Sequence, residues 1–539
     1  MTRKVGTSVL ATLTLVYLAT LAPGVTLWDS GEFLAAIHSL GIPHPPGTPL
    51  YVLIGNVWAS AWAPLIGLAY SINLLSALST ALACALMAGL FVRWTGDRLA
   101  AYAAAVCAGA MSSVWLSATE TEVYSAALLI GCLLLWMGER SSESAQSRWL
   151  LLAAYVAGLG FALHLTALLT VPAALYLAAS RQGPRVLLRN APAMVVLFML
   201  GASVVLFMLV RAPHDPWVNQ GNPSDLSSLT DVLLRKQYMP APPWPRQAPI
   251  FIQIGNLFEY ADWQVALGLA PDAPPAIART TLSIFFGLLG VAGFIQHRRV
   301  DRRSWRGMVI LFATATLGVL IYLNLKASPS YGGSFIPATA RHEARERDYF
   351  FSLAFMCWGL WAGFGAVRLL RRLGRKSPSD ELFVNAPAMT KVRVSWLPVA
   401  GVLAALVPIA LNWSAVSRRI EPGSSEARRG AIRVLATAPP AAVILAHADN
   451  ETYPVWYLQE VERRRRDVTI VVVPLLPATW YRAELARRHA LLPEDFVPTW
   501  KGARRLLAAI CDAAARQNRP VGDAGSVTGD KFPATCDTQ

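Results

Sequence analysis

Two carboxylates three residues apart, Asp29 and Glu32, directly follow the first apolar block of the chain. On a helix this spacing places both on one face. There, one ionised carboxylate can accept a proton from a hydroxyl group while the other orients that hydroxyl or tunes the pKa of its neighbour. The same spacing also fits a helix cap, with Asp29 as the N-cap residue and Glu32 reaching back to it. Both interpretations remain open from the sequence, and they are compatible.

Two histidines and two further glutamates are weaker candidates for the same site. His44 lies in a stiff loop rich in Pro and Gly, residues 41–51, and could donate to a phosphate; its alternative role is that of a packed turn residue. Glu120 and Glu122 precede an apolar block, where solvation or a helix N-terminus also explains them. His164 lies between two apolar blocks, either contacting a ligand or acting as a satisfied polar group.

A dense charged cluster, residues 341–351 (RHEARERDYFF), leads into a later apolar block. The guanidinium forks of Arg345 and Arg347 suit a lipid-linked phosphate, since arginine binds phosphate oxygens bidentately. Asp348 is a further candidate contact beside them. The alternative is an internal salt-bridge network with the acidic residues of the cluster, Glu343, Glu346 and Asp348. We favour the phosphate site.

Near the C-terminus, Asp449 and Asn450 follow a predicted strand and precede a predicted helix. Ligands bind at the carboxyl ends of strands in α/β units, so both residues are candidate substrate contacts. Asp and Asn are also standard N-cap residues, which is the better explanation for at least one of them. The sequence has no phosphate-binding loop, no GxGxxG after a strand and no Cys/His cluster with metal-ligand spacing. It therefore predicts no metal site and no cofactor.

The elements that must position these residues are long and apolar. Of the 539 residues, 54% are hydrophobic and 15% charged, whereas soluble chains average about a quarter charged. We predict an α-helical polytopic membrane protein with about eleven transmembrane helices. The predicted spans are 6–24, 71–92, 99–115, 123–138, 149–163, 165–180, 191–211, 280–296, 307–325, 349–367 and 396–413.

Arginine and lysine are concentrated in every second loop, whereas the loop at 116–122 contains neither. By the positive-inside rule, the N-terminus is cytoplasmic and the acidic loop lies outside. Counting the apolar segment 50–68 as a span would invert this pattern, so we predict an interfacial helix there. The net charge of +15 then reflects topology and contact with anionic lipid rather than nucleic acid. The predicted outer loops are 25–70, 212–279 and 326–348.

The tail has a different character and predicts a second domain. We assign residues 1–413 to the transmembrane domain and residues 414–539 to a small periplasmic α/β domain. Cys511 and Cys536 could form a disulfide there if the compartment is oxidising. The predicted tail elements are strands at 441–446 and 468–476 with a helix at 452–466 between them.

Four motifs, in this order and at these distances, resemble one known family. They are WDSGEFLAAIHSLGIPHPPGTPLY, ATETEVYSA, RERDYFF and ADNETYPVWYLQEVE. The chain is similar to membrane proteins formerly known only as a domain of unknown function, whose eukaryotic members are protein O-mannosyltransferases of IPT domains. The similarity is strong over the N-terminal third, recurs near residue 345 and continues into the tail.

The resemblance implies a GT-C-like fold and an inverting glycosyltransferase that takes sugar from a polyprenyl-phosphate carrier on the non-cytoplasmic face. It implies Asp29 as the catalytic base, with Glu32 as its neighbour. From charge and loop side we add His44, Arg345 and Arg347 as candidates for the carrier phosphate. The eukaryotic members have a long helical-repeat tail, whereas this tail is short and α/β, so their protein acceptor is not carried over.

The sequence thus predicts a multi-pass glycosyltransferase of the bacterial inner membrane, active on the periplasmic face. Its expected partners are membrane lipid, a polyprenyl-phosphate donor carrying a sugar such as mannose, and a hydroxyl acceptor on a protein or glycan. Two alternatives stay open. In a transporter or flippase of lipid-linked saccharides, the acidic residues would relay substrate or protons. In a non-catalytic assembly protein, Asp29 would be dispensable.

Overall fold

A computed structural model of the chain describes residues 2–144, 146–271, 275–331, 341–373 and 397–526, together with Phe532 and Cys536. Within these residues the chain is predominantly helical up to Val416, and a small parallel sheet follows. The predicted α-helical membrane protein with a small C-terminal α/β unit is thereby confirmed. The division of the chain at residue 413 stays a prediction.

The helices of the first part are α1 Thr2–Thr20, α2 Ser30–Ser39, α3 Pro49–Ile66, α4 Leu68–Thr95, α5 Arg98–Gly109, α6 Ser112–Ala118, α7 Val123–Ser144, α8 Ser147–Leu163, α9 Val171–Ala179, α10 Arg185–Ala202, α11 Leu206–Arg211, α12 Leu226–Leu233, α13 Ile250–Ala266, α14 Ile277–Val300, α15 Arg302–Ala313, α16 Val319–Leu323, α17 Ser352–Leu373 and α18 Leu397–Val416. The C-terminal elements are α19 Glu426–Thr437, β1 Val443–Ala446, α20 Asp449–Glu460, β2 Thr469–Val472, α21 Thr479–His489, α22 Ala503–Arg516 and β3 Val521–Asp523.

Each predicted span coincides with a helix or a run of consecutive helical segments among the described residues. Among the described residues, eight helical stretches are long and apolar enough to cross a membrane, and α5 with α6 makes a ninth if the bent pair is one span. The predicted spans at 6–24, 149–163 and 165–180 fall outside those nine, whereas α3 is one of them. The number of crossings and the interfacial position of α3 therefore stay predictions.

The predicted span at 99–115 is two helices rather than one, since α5 and α6 meet at an angle of 71°. Between them Met111 adopts an extended conformation, with φ −62° and ψ 133°. The carbonyl oxygen of Ala110 accepts a hydrogen bond from the buried side-chain amide of Asn412 at 2.9 Å. A polar side chain on α18 thus satisfies backbone that the break exposes, as irregular backbone at membrane depth requires.

The two ends of the helix bundle carry different loops. Glu120 lies just before α7 and Glu139 lies near its end, so the two residues mark opposite ends. Glu139 is 1% exposed and accepts two hydrogen bonds from Arg303, at 2.8 and 2.6 Å. Glu120 pairs instead with Arg418 of the predicted outer tail at 2.7 Å. This arrangement agrees with the predicted grouping of basic loops on one side and acidic outer segments on the other.

The C-terminal sheet is parallel and has the strand order β2-β1-β3. In register, Val443 of β1 lies opposite Thr469 of β2 and Val521 of β3. The β-α-β unit predicted from the apolar runs is therefore present. The third strand, which spans only Val521–Asp523, and the helices α21 and α22 were not predicted.

The predicted boundaries of the β-α-β unit are too wide. The helix predicted to reach residue 466 ends at Glu460, because Arg463 and Arg465 adopt left-handed backbone conformations with φ of 55° and 44°. The second strand ends at Val472, since Pro474 in the following turn cannot donate a ladder hydrogen bond.

The cysteines of the tail form a disulfide, whereas those of the helix bundle are free thiols. Cys511 on α22 forms a disulfide with Cys536. The other cysteines lie buried and free in apolar helices, as their positions in the sequence indicate. They are Cys84, Cys107, Cys132 and Cys357.

Candidate active site

The loop between α1 and α2 carries Asp29, and a buried polar side chain fixes its shape. Asn73 on α4 donates through its amide to the carbonyl oxygens of Ala22 and Gly24, at 3.0 Å each. It also accepts a hydrogen bond from the Thr121 hydroxyl at 2.7 Å. Asn73 is fully buried, so these bonds form in a low dielectric, where they constrain the loop strongly.

Asp29 lies at the end of this loop and is 6% exposed. Its Oδ2 accepts a hydrogen bond from Nη2 of Arg345 at 2.8 Å. Burial raises the pKa of the Asp29 carboxyl, but the positive charges of Arg345 and His44 outweigh burial and hold that pKa below its usual value. Asp29 is therefore ionised at neutral pH, as a proton acceptor must be.

The guanidinium of Arg345 lies between two aromatic rings. Its carbon is 5.2 Å from the ring centroid of Trp28 and 5.1 Å from that of Tyr349, within the range of cation–π attraction. Asp29 takes one N–H donor of the fork, and the other donors have no acceptor among the residues that the structure describes. Arg345 thus presents a partly free fork beside an ionised carboxylate.

The helix-cap interpretation of Asp29 and Glu32 is not realised. Asp29 does precede α2, but its side chain makes no capping hydrogen bond. Glu32 faces the loop of His44 instead of reaching back to Asp29. The two carboxylates therefore do not form a direct pair, and each has its own cationic partner.

Glu32 is fully buried and organises the surrounding loops. It accepts hydrogen bonds from the backbone N–H of His44 at 2.7 Å, from the imidazole Nδ1 of His44 at 2.5 Å and from the side chain of Gln220. Burial raises the pKa of Glu32, and the charge of His44 offsets only part of that rise. Glu32 is placed to hold the Pro-rich loop and the Gln220 loop together beneath Asp29.

We expect the ion pair between Glu32 and His44 to stabilise the protein less as the pH rises. Burial lowers the pKa of His44, but the carboxylates of Glu32 and Asp29 raise it from 6.5 to about 9. Because the folded pKa is the higher one, the stabilisation is complete below about pH 6.5 and is lost as the pH rises through about 9. It amounts to about 3 kcal/mol at most.

The apparent Tm of detergent-solubilised protein, measured from about pH 6 to pH 10, checks this linkage. The variant Glu32→Gln should melt well below the wild type at the acidic end, and the two curves should converge at the alkaline end. A difference in Tm that does not change with pH would contradict the charged pair.

A second part of the chain reaches Asp29 through its neighbour in sequence. Trp28 has a φ of 61°, a left-handed conformation that costs a residue with a Cβ about 1–3 kcal/mol. Its backbone N–H donates to Oδ1 of Asn450 at 2.6 Å. Asp449, the first residue of α20 and the neighbour of Asn450 in sequence, is exposed. The C-terminal unit therefore borders the candidate site.

The predicted salt-bridge network within residues 341–351 forms only in part. Arg347 donates to the Tyr349 hydroxyl at 2.7 Å and lies 3.6 Å from Glu343. Asp348 accepts a hydrogen bond from the Ser113 hydroxyl. Arg345 pairs with Asp29 rather than with the acidic residues of the cluster.

The remaining predicted residues surround this centre. Glu120 forms a salt bridge with Arg418 at 2.7 Å, and its contact with a substrate stays a prediction. Glu122 has an Oε2 that is buried without a hydrogen-bond partner in the described structure, and burial followed by the charge of Asp29 raises the pKa of Glu122 well above its usual value. His164 accepts the backbone N–H of Thr166 at 3.3 Å, as a satisfied polar group does.

Several residues of the site were missed from the sequence. Trp28 and Tyr349 flank Arg345, Tyr124 packs against Tyr349 with ring centroids 4.7 Å apart, and Gln220 binds Glu32. Trp28, Tyr124 and Tyr349 stand inside the quoted motifs, so the motifs themselves were the available signal. Gln220 lies in no such motif.

The arrangement suits proton abstraction beside an anion. An ionised carboxylate, a stacked guanidinium with free donors and a rim of aromatic rings can hold a hydroxyl and a phosphate next to each other. Among the described residues, no group of three or more His, Cys, Asp or Glu side chains could hold a metal ion.

Two segments of the chain match known family models. Residues 29–186 match the Protein O-mannosyl-transferase TMEM260 N-terminal domain, and residues 427–491 match the TMEM260-associated domain 2. The first match begins at Asp29, and the second includes Asp449 and Asn450.

The mouse protein O-mannosyl-transferase TMEM260 is 30% identical to the chain over 141 residues, 26% of this chain and 20% of the mouse protein. The match thus spans a fifth of that relative's length. The archaeal oligosaccharyltransferase AglB from Archaeoglobus fulgidus, in complex with an inhibitory peptide and a dolichol-phosphate, is 12% identical, covers 96% of this chain and 69% of its own, and has a TM-score of 0.46. ArnT from Cupriavidus metallidurans, bound to undecaprenyl phosphate, is 14% identical with coverages of 86% and 89% and a TM-score of 0.44.

Three of the four quoted motifs, all except RERDYFF, overlap these two matches. Residues 29–186 and 427–491 are thus similar to the TMEM260 protein O-mannosyl-transferase family.

Proposed function

We propose that this protein is a glycosyltransferase that moves a sugar, with mannose as the first candidate, from a polyprenyl-phosphate carrier to a hydroxyl group of a protein or glycan. The contact between Asp29 and Arg345 carries this proposal. In this proposal Asp29 is the base for the hydroxyl, and Arg345 beside it is the cation for the departing phosphate, at the end of an apolar helix bundle. The similarity to the mouse protein O-mannosyl-transferase supports it.

In the proposed reaction the acceptor oxygen attacks the anomeric carbon of the sugar with inversion. The bond from that carbon to the phosphate oxygen breaks, and Asp29 takes the proton of the acceptor hydroxyl. The products are the glycosylated acceptor and the polyprenyl phosphate. Phosphate is a good leaving group, so we propose that the protein needs no metal ion or cofactor and acts by orientation and charge.

Donor binding and base strength are coupled in this proposal. Arg345 lowers the pKa of Asp29 while the two are paired. A donor phosphate on the free N–H groups of Arg345 brings negative charge close to Asp29, which raises that pKa. Asp29 then becomes the better proton acceptor once the donor is in place.

We further propose that the site faces the periplasm of a bacterial inner membrane, with the N-terminus in the cytoplasm. Arginines of two basic loops, Arg181 and Arg303, pair with Glu139 at the end of the bundle away from Asp29, in keeping with the positive-inside rule. The tail that borders Asp29 holds the disulfide between Cys511 and Cys536, which fits an oxidising compartment.

Mass spectrometry of periplasmic glycoproteins and glycolipids, from cells with and without this protein, tests the proposed function. We expect hexose on a defined set of acceptors to disappear with the protein and to return with the wild-type gene. A flippase would instead deplete every glycan that draws on the lipid-linked sugar. Hexose that is unchanged in its absence would refute the transferase.

A further inference from the structure

We infer that Asn450 of the C-terminal unit is a positioning residue that holds the loop of Asp29 in its active shape. The inference rests on the proposed function, because Asn450 would act through the proposed base. Its Oδ1 accepts the backbone N–H of Trp28 at 2.6 Å, and Trp28 directly precedes Asp29. Asn450 is thus separated from the proposed base by one residue of the outer loop.

The conformation of Trp28 is the reason that such a brace is needed. A left-handed φ of 61° persists in a non-glycine residue only when its surroundings impose it. Rotation of Trp28 back to negative φ would remove its ring from Arg345 and turn the peptide that leads into Asp29. The hydrogen bond that Trp28 donates to Asn450 and the stacking of Trp28 on Arg345 oppose that rotation from two sides.

Asn450 is itself held by close packing of two helices. At Gly31 of α2, a Cβ atom would overlap the carbonyl oxygen of Tyr453 on α20. Contact between backbones at this range leaves little room for α20 to shift relative to α2. The position of Asn450 beside Trp28 therefore follows from the docking of the C-terminal unit.

A simple capping role does not explain Asn450. α20 begins at Asp449, and Ala448 occupies its N-cap position. The backbone N–H groups of His447 and Ala448 donate to the side chain of Glu451, not to Asn450. The side-chain oxygen of Asn450 instead accepts a hydrogen bond from Trp28, which lies far away in sequence.

Two substitutions separate positioning from folding. Asn450→Ala removes the acceptor oxygen, and Asn450→Asp keeps one at the same reach. Asp215→Asn is the matched control, because Asp215 also ties the tail to an outer loop, through Arg487 at 2.6 Å, but does so away from Asp29. Hydrogen exchange of a peptide covering residues 25–30, with turnover and donor KM, gives the readouts.

We expect Asn450→Ala to speed exchange at the Trp28 amide and to lower kcat by about 10- to 100-fold, as misplacement of a catalytic group does, with little change in donor KM. Asn450→Asp should restore slow exchange at the Trp28 amide and the wild-type kcat, and Asp215→Asn should change neither the exchange rate nor kcat. In an Asp29→Asn background, Asn450→Ala should cause no further loss, because the group it positions is already gone.

Additive losses in the double variant, or an equal loss in Asp215→Asn, would show that Asn450 only stabilises the fold. Wild-type protein without transfer activity would refute the proposed function separately. In that case the exchange rates alone would decide whether Asn450 braces Trp28, since unchanged exchange in Asn450→Ala would overturn the inference.

Discussion

Replacing Asp29 by Asn should lower the rate of sugar transfer about a hundredfold or more, the loss expected when a general base is removed. Asn keeps the shape of the side chain and still accepts the hydrogen bond from Arg345, but it cannot take the proton of the acceptor. Because the negative charge that shares Arg345 is gone, donor affinity should stay equal or increase. Turnover and donor affinity of protein in lipid nanodiscs measure the two effects separately.

Glu32→Gln is the matched control for this substitution. It removes a carboxylate three residues away that binds His44 and Gln220 and makes no direct pair with Asp29, so its loss of turnover should be smaller. Loss of a helix cap cannot explain a large effect at Asp29, because Asp29 makes no capping bond and Asn caps about as well as Asp. Transfer at the wild-type rate in Asp29→Asn would end its assignment as the base.

The helix bundle was predictable because its signals are local. Apolar blocks of membrane-spanning length and alternating arginine-rich loops identify the helices and group their ends. The strands β1 and β2 stand out as short apolar runs. By contrast, the bend between α5 and α6 depends on Asn412 of α18, which no local pattern in residues 99–115 reveals.

The site was predictable residue by residue but not as a set of partners. Asp29 and Arg345 were both singled out, yet their pairing joins residues 316 apart in sequence. From the sequence, Arg345 was equally compatible with the acidic residues next to it. Which cation pairs with a buried carboxylate depends on how the helices pack, and the helix packing is seen only in the structure.

The second large effect should come from Arg345→Ala, with donor affinity falling on the order of a hundredfold. Hydrogen bonds to a charged group contribute about 1.5–3 kcal/mol each, and Ala removes both the fork and its charge. Lys should restore only part of the affinity, because a point charge lacks the bidentate geometry. Titration of a polyprenyl phosphate into the purified variants measures the loss.

Arg345→Ala should also move the acidic limb of the pH–rate profile to higher pH, because the cation that holds down the pKa of Asp29 is gone and burial then raises that pKa. Arg347→Ala is the control: Tyr349 and Glu343 bind that guanidinium, so both effects should be smaller. Breaking a buried ion pair can cost about 3–5 kcal/mol, so the apparent Tm of each variant is needed. Wild-type donor affinity in a folded Arg345→Ala protein would show that Arg345 serves Asp29 alone and binds no phosphate.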